Sequence, residues 1–238
     1  MSVAEKRLTG RIAAEHIKLL EVPRPPKGAV ERFKALGDPT GIISDTMDEL
    51  GIPSGVIGAS VLRPTMPGTT MVGPALTLRN ILQRIDPLKG AHDKVNKMAE
   101  FECHNLAQQG DVLVIQGVPD VSNMGGISAQ TGKRQGEVGA IVQGGIRDIA
   151  HSRSVGYPLW ASDITPVTGK WRLEAAEING AIRQTLMHTK QVLLSLQKQR
   201  GPVAAELKKG FEDAWQAIEK AFAKAREKVR EEKTAPPQ

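Results

Sequence analysis

Two unbroken apolar runs of strand length organise the middle of the chain: "GDVLVIQG" at 110–117 and "EVGAIVQGG" at 137–145. Neither alternates with polar residues, which is the pattern of parallel strands covered on both faces. Between them, "ISAQTGKRQG" (127–136) reads as a short helix. Strand, helix and strand with short connections predict a βαβ unit with a right-handed crossover. Ligands of such sheets gather beyond the carboxyl ends of the strands. Those ends are "GVPDVSNMGGIS" and "GGIRD", and the topology places them side by side.

The pattern extends in both directions. Residues 1–38 read as a helical arm broken by "VPRPPKG". Asp38-Pro39-Thr40 opens a short helix over "GIISDTMDELG", which Gly51 ends as the residue past the last turn. "TTMVGPALTLRN" (69–80) is rich in β-branched and apolar residues and predicts a strand with an irregularity at Gly73-Pro74. "HDKVNKMAEFECHNLAQQG" (92–110) places Val95, Met98, Ala99, Cys103 and Leu106 near helical spacing, and Gly110 stops it. "GKWRLE" (169–174) fits a strand with one solvated face, although Lys170 and Arg172 would also steer an anion. In the tail, Leu207, Phe211, Trp215, Ile218, Phe222, Ala225 and Val229 recur at threes and fours, and Gly201-Pro202 would start that helix. Such a helix packs on its own domain or forms a seam with a partner.

Composition narrows the classes. A chain of 238 residues with 40% hydrophobic content can bury a real core. The single Cys103 excludes a disulfide framework and a cysteine-rich zinc site, and suits a reducing cytoplasm. The opening residues alternate charged and apolar positions, so no signal peptide is expected, and no apolar run reaches the ~18 residues of a membrane span. Of the net charge of +6, residues 183–238 supply 12 Lys/Arg against 7 Asp/Glu, so the body is near neutral. With aromatics at 3% and no clustered basic face, nucleic-acid binding is not expected.

The candidate chemistry lies in "QGGIRD" (143–148). Gly125 and Gly126 precede the predicted helix, whose free N–H groups near Ile127 and Ser128 suit a carboxylate or phosphate. Gly144 and Gly145 permit close approach or positive φ. Arg147 can clamp a planar carboxylate, and Asp148 offers a hard oxygen of the kind magnesium or manganese takes. These features describe a pocket for a metal-chelating α-keto acid. The same residues also fit a tight Gly-Gly turn followed by a helix whose N-cap is Asp148.

These stretches carry a resemblance. "GDVLVIQG", "MGGISAQTGKRQGEVGAIVQGGIRD" and "GYPLWASDITPVTGKW", with "TGIISDTMDELG" and "MVGPALTLRN" before them, resemble the RraA-like family across roughly residues 38–180. That family includes the regulator of ribonuclease E activity and the class II pyruvate aldolases acting on 4-hydroxy-4-methyl-2-oxoglutarate. Its members are often labelled dimethylmenaquinone methyltransferases, but no strand–GxGxG–helix nucleotide site is legible here.

The resemblance implies an α/β fold, a three-layer β/β/α sandwich, assembled as trimers or hexamers with active sites at subunit interfaces. It divides the chain into an arm (1–37), an RraA-like domain (38–182) and a helical extension (183–238). It implies a cytoplasmic, magnesium- or manganese-dependent lyase that releases pyruvate from a 4-hydroxy-2-oxo acid or decarboxylates oxaloacetate. Arg147 would bind the keto acid, Asp148 would hold the metal, and amides around Gly125, Gly126, Ile127 and Ser128 would hold the carboxylate.

Two departures stand against it. The aldolases carry an acid/base aspartate where this chain has Gly126. Asp120 is the nearest substitute in sequence, with a solvated turn as its plainer role, and His92 is a weaker one. The family's closing strands with their "PGD" turn are also not legible after "EING" (177–180). The alternative to a lyase is a non-catalytic regulator or protein-binding subunit.

Overall fold

The computed structural model describes residues 9–17, 24–37, 39–52 and 55–178. The predicted tail helix and the question of the family's closing strands lie outside these residues. The chain divides into two compact units, 1–22 with 56–184 and 23–55 with 185–238. The described part of the second unit holds α1 (Ala29–Lys34), which follows Gly28 at φ +82°, and α2 (Pro39–Glu49), the helix expected over "GIISDTMDELG".

The first unit is built on a mixed α/β sheet of seven strands. In chain order its elements are β1 (Arg63–Pro64), β2 (Ala75–Leu82), α3 (Pro87–His92), α4 (Glu100–Leu106), β3 (Val112–Gln116), β4 (Ser122–Met124), α5 (Gly126–Arg134), β5 (Gly139–Ile146), α6 (Ile149–Ser154), β6 (Leu159–Ile164) and β7 (Leu173–Ile178). The strand order is β1-β6-β5-β3-β2-β7. The inner strands β6, β5, β3 and β2 run parallel, and β1 and β7 close the two edges antiparallel. The expected βαβ unit is β3-α5-β5, paired in register from Val112 with Gly139 to Gln116 with Gln143.

The apolar runs supply the core. Leu113, Ala140, Val142, Ile146, Leu159, Leu76 and Ile178 are at most 1% exposed and belong to one cluster with Cys103, Met124 and Tyr157. Burying a Leu or Ile side chain contributes about 1.5–3 kcal/mol, so each of these residues adds on that scale. None of the described helices is long and apolar enough to cross a membrane.

Three elements differ from the sequence expectation. Of the single helix expected over 92–110 only Glu100–Leu106 forms, as α4; α3 ends at His92, Lys94 takes φ +55°, and the chain leaves helical geometry until Glu100. α3 starts ahead of the expected span, where Asp86 caps it by accepting from the Leu88 and Lys89 N–H groups at 2.9 and 3.1 Å ahead of Pro87. β4 was not expected; it pairs with β5 beyond the end of β3, so both strands share one edge of β5.

At the N-terminus, residues 9–17 hold one 3-10 turn, Ala14–His16, rather than a helix. They lie on the sheet unit. Ile12 joins the core, His16 Nδ1 bonds Ala176 O at 3.0 Å, and Ile17 bridges Ile178.

Candidate functional site

The Gly-Gly pair of "QGGIRD" serves the fold before it serves a ligand. Asn123 is fully buried and closes the loop between β3 and β4. Its Nδ2 donates to Val118 O and Val121 O at 2.9 Å each, and its Oδ1 accepts from Val118 N–H at 3.1 Å. A Cβ on Gly144 (φ +143°) would stand 2.6 Å from Asn123 Nδ2 and 2.8 Å from Val118 O. One on Gly145 would stand 2.6 Å from Val121 O. The two glycines therefore let this loop and β4 lie against β5, which delivers "MGGIS" to the end of the strand carrying Arg147 and Asp148.

Asp148 sits at φ +55°, ψ +40°, a left-handed conformation that aspartate tolerates better than most residues. It occupies the N-cap position of α6, yet its side chain makes no capping bond. Its Oδ2 instead accepts from Gly126 N–H at 3.2 Å and lies 3.5 Å from Arg147 Nε. The two strand-end loops thus meet through Asp148. Both Arg147 and Asp148 remain partly open, at 33% and 51% side-chain exposure, so their mutual attraction is worth about 0–1 kcal/mol and leaves them available to a ligand.

Gly125 and Gly126 have a steric reason of their own. A Cβ on Gly125 would stand 3.0 Å from Asp148 Oδ2, and one on Gly126 2.9–3.0 Å from the Cβ and ring of His151. Beyond Gly126, the Ile127 and Ser128 N–H groups make no backbone hydrogen bond among the described residues. They form an unfilled helix start beside Arg147.

A cavity of about 610 Å³ opens on this point. Its wall includes Gly125, Gly126, Ile127, Ser128, Arg147 and Asp148, so the structure brings these sequence candidates together. Asp120 is not in the wall. It lies exposed in a turn at φ +59°, where its carbonyl accepts from Thr165 Oγ1 at 3.3 Å. His92 is also outside, exposed and paired with Asp93 at 2.8 Å. Lys170, on the turn before β7, does reach the wall, whereas Arg172 does not.

Several wall residues come from segments that no sequence motif marks. Arg11 arrives from the N-terminal segment, which Glu102 fastens by accepting from the Thr9 and Gly10 N–H groups at 2.8 and 3.2 Å. Lys94 comes from the break between α3 and α4, and Glu100 from the first turn of α4. Arg11, Lys94, Arg147 and Lys170 face two acids, Glu100 and Asp148, so the cavity favours anions.

Glu100 is 5% exposed, and its Oε2 has no hydrogen-bond partner among the described residues. Burial raises its carboxyl from 4.5 to about 7, against smaller opposing effects of its own N–H and of His104, Arg11 and Lys170. The helical pattern did not announce it, because the burial of this helix shows only in the fold. Five of the seven α4 residues are buried, including Glu100, Glu102 and His104 beside Cys103 and Leu106, so this helix has too little solvated face to hold three ionisable groups.

Behind the cavity wall runs a closed polar chain. Ser128 Oγ bonds His104 Nε2 at 2.7 Å, His104 Nδ1 bonds Glu137 Oε1 at 2.8 Å, and the Tyr157 hydroxyl donates to Glu137 Oε2. The order resembles a nucleophilic relay. All four residues are buried, however, and each is satisfied within the chain, so its evident work is to tie α4 and α5 to the connections that lead into β5 and β6.

The chain's relatives bear on what this cavity does. Residues 40–193 match a family profile described as "RraA-like: Aldolase/RraA". Over 134 residues the chain is 28% identical to protein DlpA of Legionella pneumophila, covering 56% of this chain but 20% of that much longer protein. A solved structure described as an unusual member of the RNase ES inhibitor RraA protein family, RraAS2 of Streptomyces coelicolor, superposes with TM-score 0.53 at 26% identity, over 66% of this chain and 73% of that one. Another, described among novel cellulases from microbes associated with the gut ecosystem, shares the fold at TM-score 0.55 and 18% identity, covering 68% and 69% of the two chains.

Proposed function

Because the chain belongs to the RraA-like family, which holds both lyases and regulators, we propose that it is a carbon–carbon lyase acting on an α-keto acid. The observation that carries this reading is the meeting of Arg147, Asp148 and the start of α5 at one anion-favouring cavity.

The donor set suits a hard divalent cation. Among the described residues no three His, Cys, Asp or Glu side chains cluster as a closed metal cage. Magnesium is commonly held by one or two carboxylates, with substrate and water completing its shell, and Asp148 offers a half-exposed carboxylate beside the substrate-facing arginine. When bound, magnesium or manganese would supply Lewis-acid stabilisation of charge developing on the keto oxygen. Arg147 pairs with the keto acid's carboxylate in bidentate fashion. The Ile127 and Ser128 amides add neutral donors aimed at the same charge. Retro-aldol cleavage of a 4-hydroxy-2-oxo acid and decarboxylation of oxaloacetate both pass through the pyruvate enolate, so this one arrangement serves both. Following the family's oligomeric habit, we assign the site to an interface of a homotrimer or hexamer, which would cover the exposed Ile127 at the cavity wall.

The test is pyruvate release from a panel of 4-hydroxy-2-oxo acids and oxaloacetate with magnesium or manganese. Asp148→Ala is expected to abolish turnover. Arg147→Ala is expected to cost about 3 kcal/mol of transition-state stabilisation, the scale of losing an oxyanion donor. Near-normal rates in either variant would assign the chemistry elsewhere.

The likeness to an RNase ES inhibitor family member supports a second reading, a non-catalytic regulator. It expects no turnover with any keto acid, together with capture of a protein partner that is lost when residues 201–238 are deleted.

A further inference from the structure

The proposed lyase needs a group that moves a proton, and the sequence offers none at Gly126. We infer that Glu100 is that group: a buried carboxyl set in the wall of the Arg147–Asp148 cavity with one oxygen left unbonded. The inference rests on the lyase reading and assigns a residue to its proton steps.

Three observations carry it. Glu100 lies in the wall of the same cavity as Arg147, Asp148 and the start of α5. It is 5% exposed, and its Oε2 meets no donor among the described residues, an arrangement that costs free energy and that native structures rarely leave unanswered. A side chain at 126, by contrast, would have to displace His151, whose Cβ and ring stand 2.9–3.0 Å from where its Cβ would be. The charged and titratable groups around Glu100 come from several elements. They are His104 one turn on along α4, Arg11 from the N-terminal segment, and Lys170 from the turn before β7. Lys94, Arg147 and Asp148 complete the cavity's charges. A carboxyl poised at about 7 in this setting can both accept and return a proton near neutrality.

The steps balance without a further reactant. The Glu100 carboxylate takes the proton of the substrate's C4 hydroxyl. The C3–C4 bond breaks, its electrons pass to the C2 carbonyl, and a carbonyl product and the pyruvate enolate form. Glu100 then returns the proton to C3 of the enolate, giving pyruvate and regenerating the carboxylate. Run on pyruvate alone, the last step in reverse exchanges methyl hydrogens with solvent.

The experiment compares wild type, Glu100→Gln and Asp148→Asn as full chains loaded with magnesium or manganese. It reads kcat and KM against pH and the deuteration of the pyruvate methyl group in heavy water. Glu100→Gln is expected to lower kcat by about 100-fold or more, with KM within a few-fold, and to abolish methyl exchange. It should also erase the limb of the rate profile near pH 7, and Glu100→Asp should restore part of the rate. Thermal melting of Glu100→Gln checks the fold, since the amide keeps the shape and removes only the titration.

If Glu100→Gln keeps kcat, exchange and the pH limb while Asp148→Asn loses turnover, the Glu100 assignment falls and the lyase reading stands. If wild type neither turns over any keto acid nor exchanges the methyl group, both fall together.

Discussion

Asp148 shows how one residue can answer to two readings of a sequence at once. "GGIRD" fits a helix cap as well as a ligand site, and the backbone does place Asp148 at the N-cap of α6. The side chain turns to Gly126 N–H and Arg147 instead, so a cap's usual worth of about 1 kcal/mol is forgone. Gly144 carries the opposite lesson, since its freedom is used to fit the Asn123 loop. Gly144→Ala is expected to destabilise by about 2 kcal/mol or more in urea unfolding, from left-handed strain together with the 2.6 Å clash.

Glu100 gives a residue-scale dependence on pH. The folded state holds its proton up to about pH 7, whereas the ordinary value is 4.5. The native state therefore binds more protons across that window. Its contribution to stability is full below pH 4.5 and fades as the pH rises to 7. The difference is on the order of 3 kcal/mol. Melting temperatures at pH 5 and pH 8 should thus differ less in Glu100→Gln than in wild type, and an unchanged difference would place the titration on another group.

At the scale of elements, the chemistry of long apolar runs made β3, α5 and β5 legible, because only a doubly covered parallel strand is apolar on both faces. β4 was not legible: "SNM" has no apolar periodicity, and its place is set by Asn123 and by the glycines opposite it. The break in 92–110 was hidden for a related reason, since Lys94 enters a left-handed conformation without a glycine to announce it. Arg147, Asp148 and the helix start could be found because a βαβ unit brings sequence neighbours of its strand ends together. Arg11, Lys94 and Glu100 could not, since their arrival depends on tertiary packing of distant segments.

The Ser128–His104–Glu137–Tyr157 chain is likewise an element-scale device. His104→Ala is expected to cost about 3 kcal/mol or more by chemical denaturation, as it strips a partner from the buried Glu137. Ser128→Ala should cost nearer 1 kcal/mol. Equal costs would mean that Glu137 does not depend on His104.

For the sheet unit as a whole, Cys103 reports integrity. It is fully buried, and burial, reinforced by Glu137, Glu100 and Glu102, pushes its thiol well above the ordinary range. A thiol-specific reagent is expected to leave it untouched in the native state and to react at the rate of opening. Rapid native labelling would show that α4 detaches readily from the sheet.

The N-terminal fastening has a practical consequence. Two amides on Glu102 hold the stretch that brings Arg11 to the cavity. Hydrogen bonds to a charged acceptor contribute about 1.5–3 kcal/mol each, less than a domain's whole stability. A recombinant version trimmed by its first eleven residues, which keeps the core residue Ile12, or one whose leading residues are pulled aside by a fused tag, can therefore fold and purify normally while lacking one of the cavity's cations. Kinetic comparisons between differently trimmed preparations would then report on cloning boundaries as much as on chemistry.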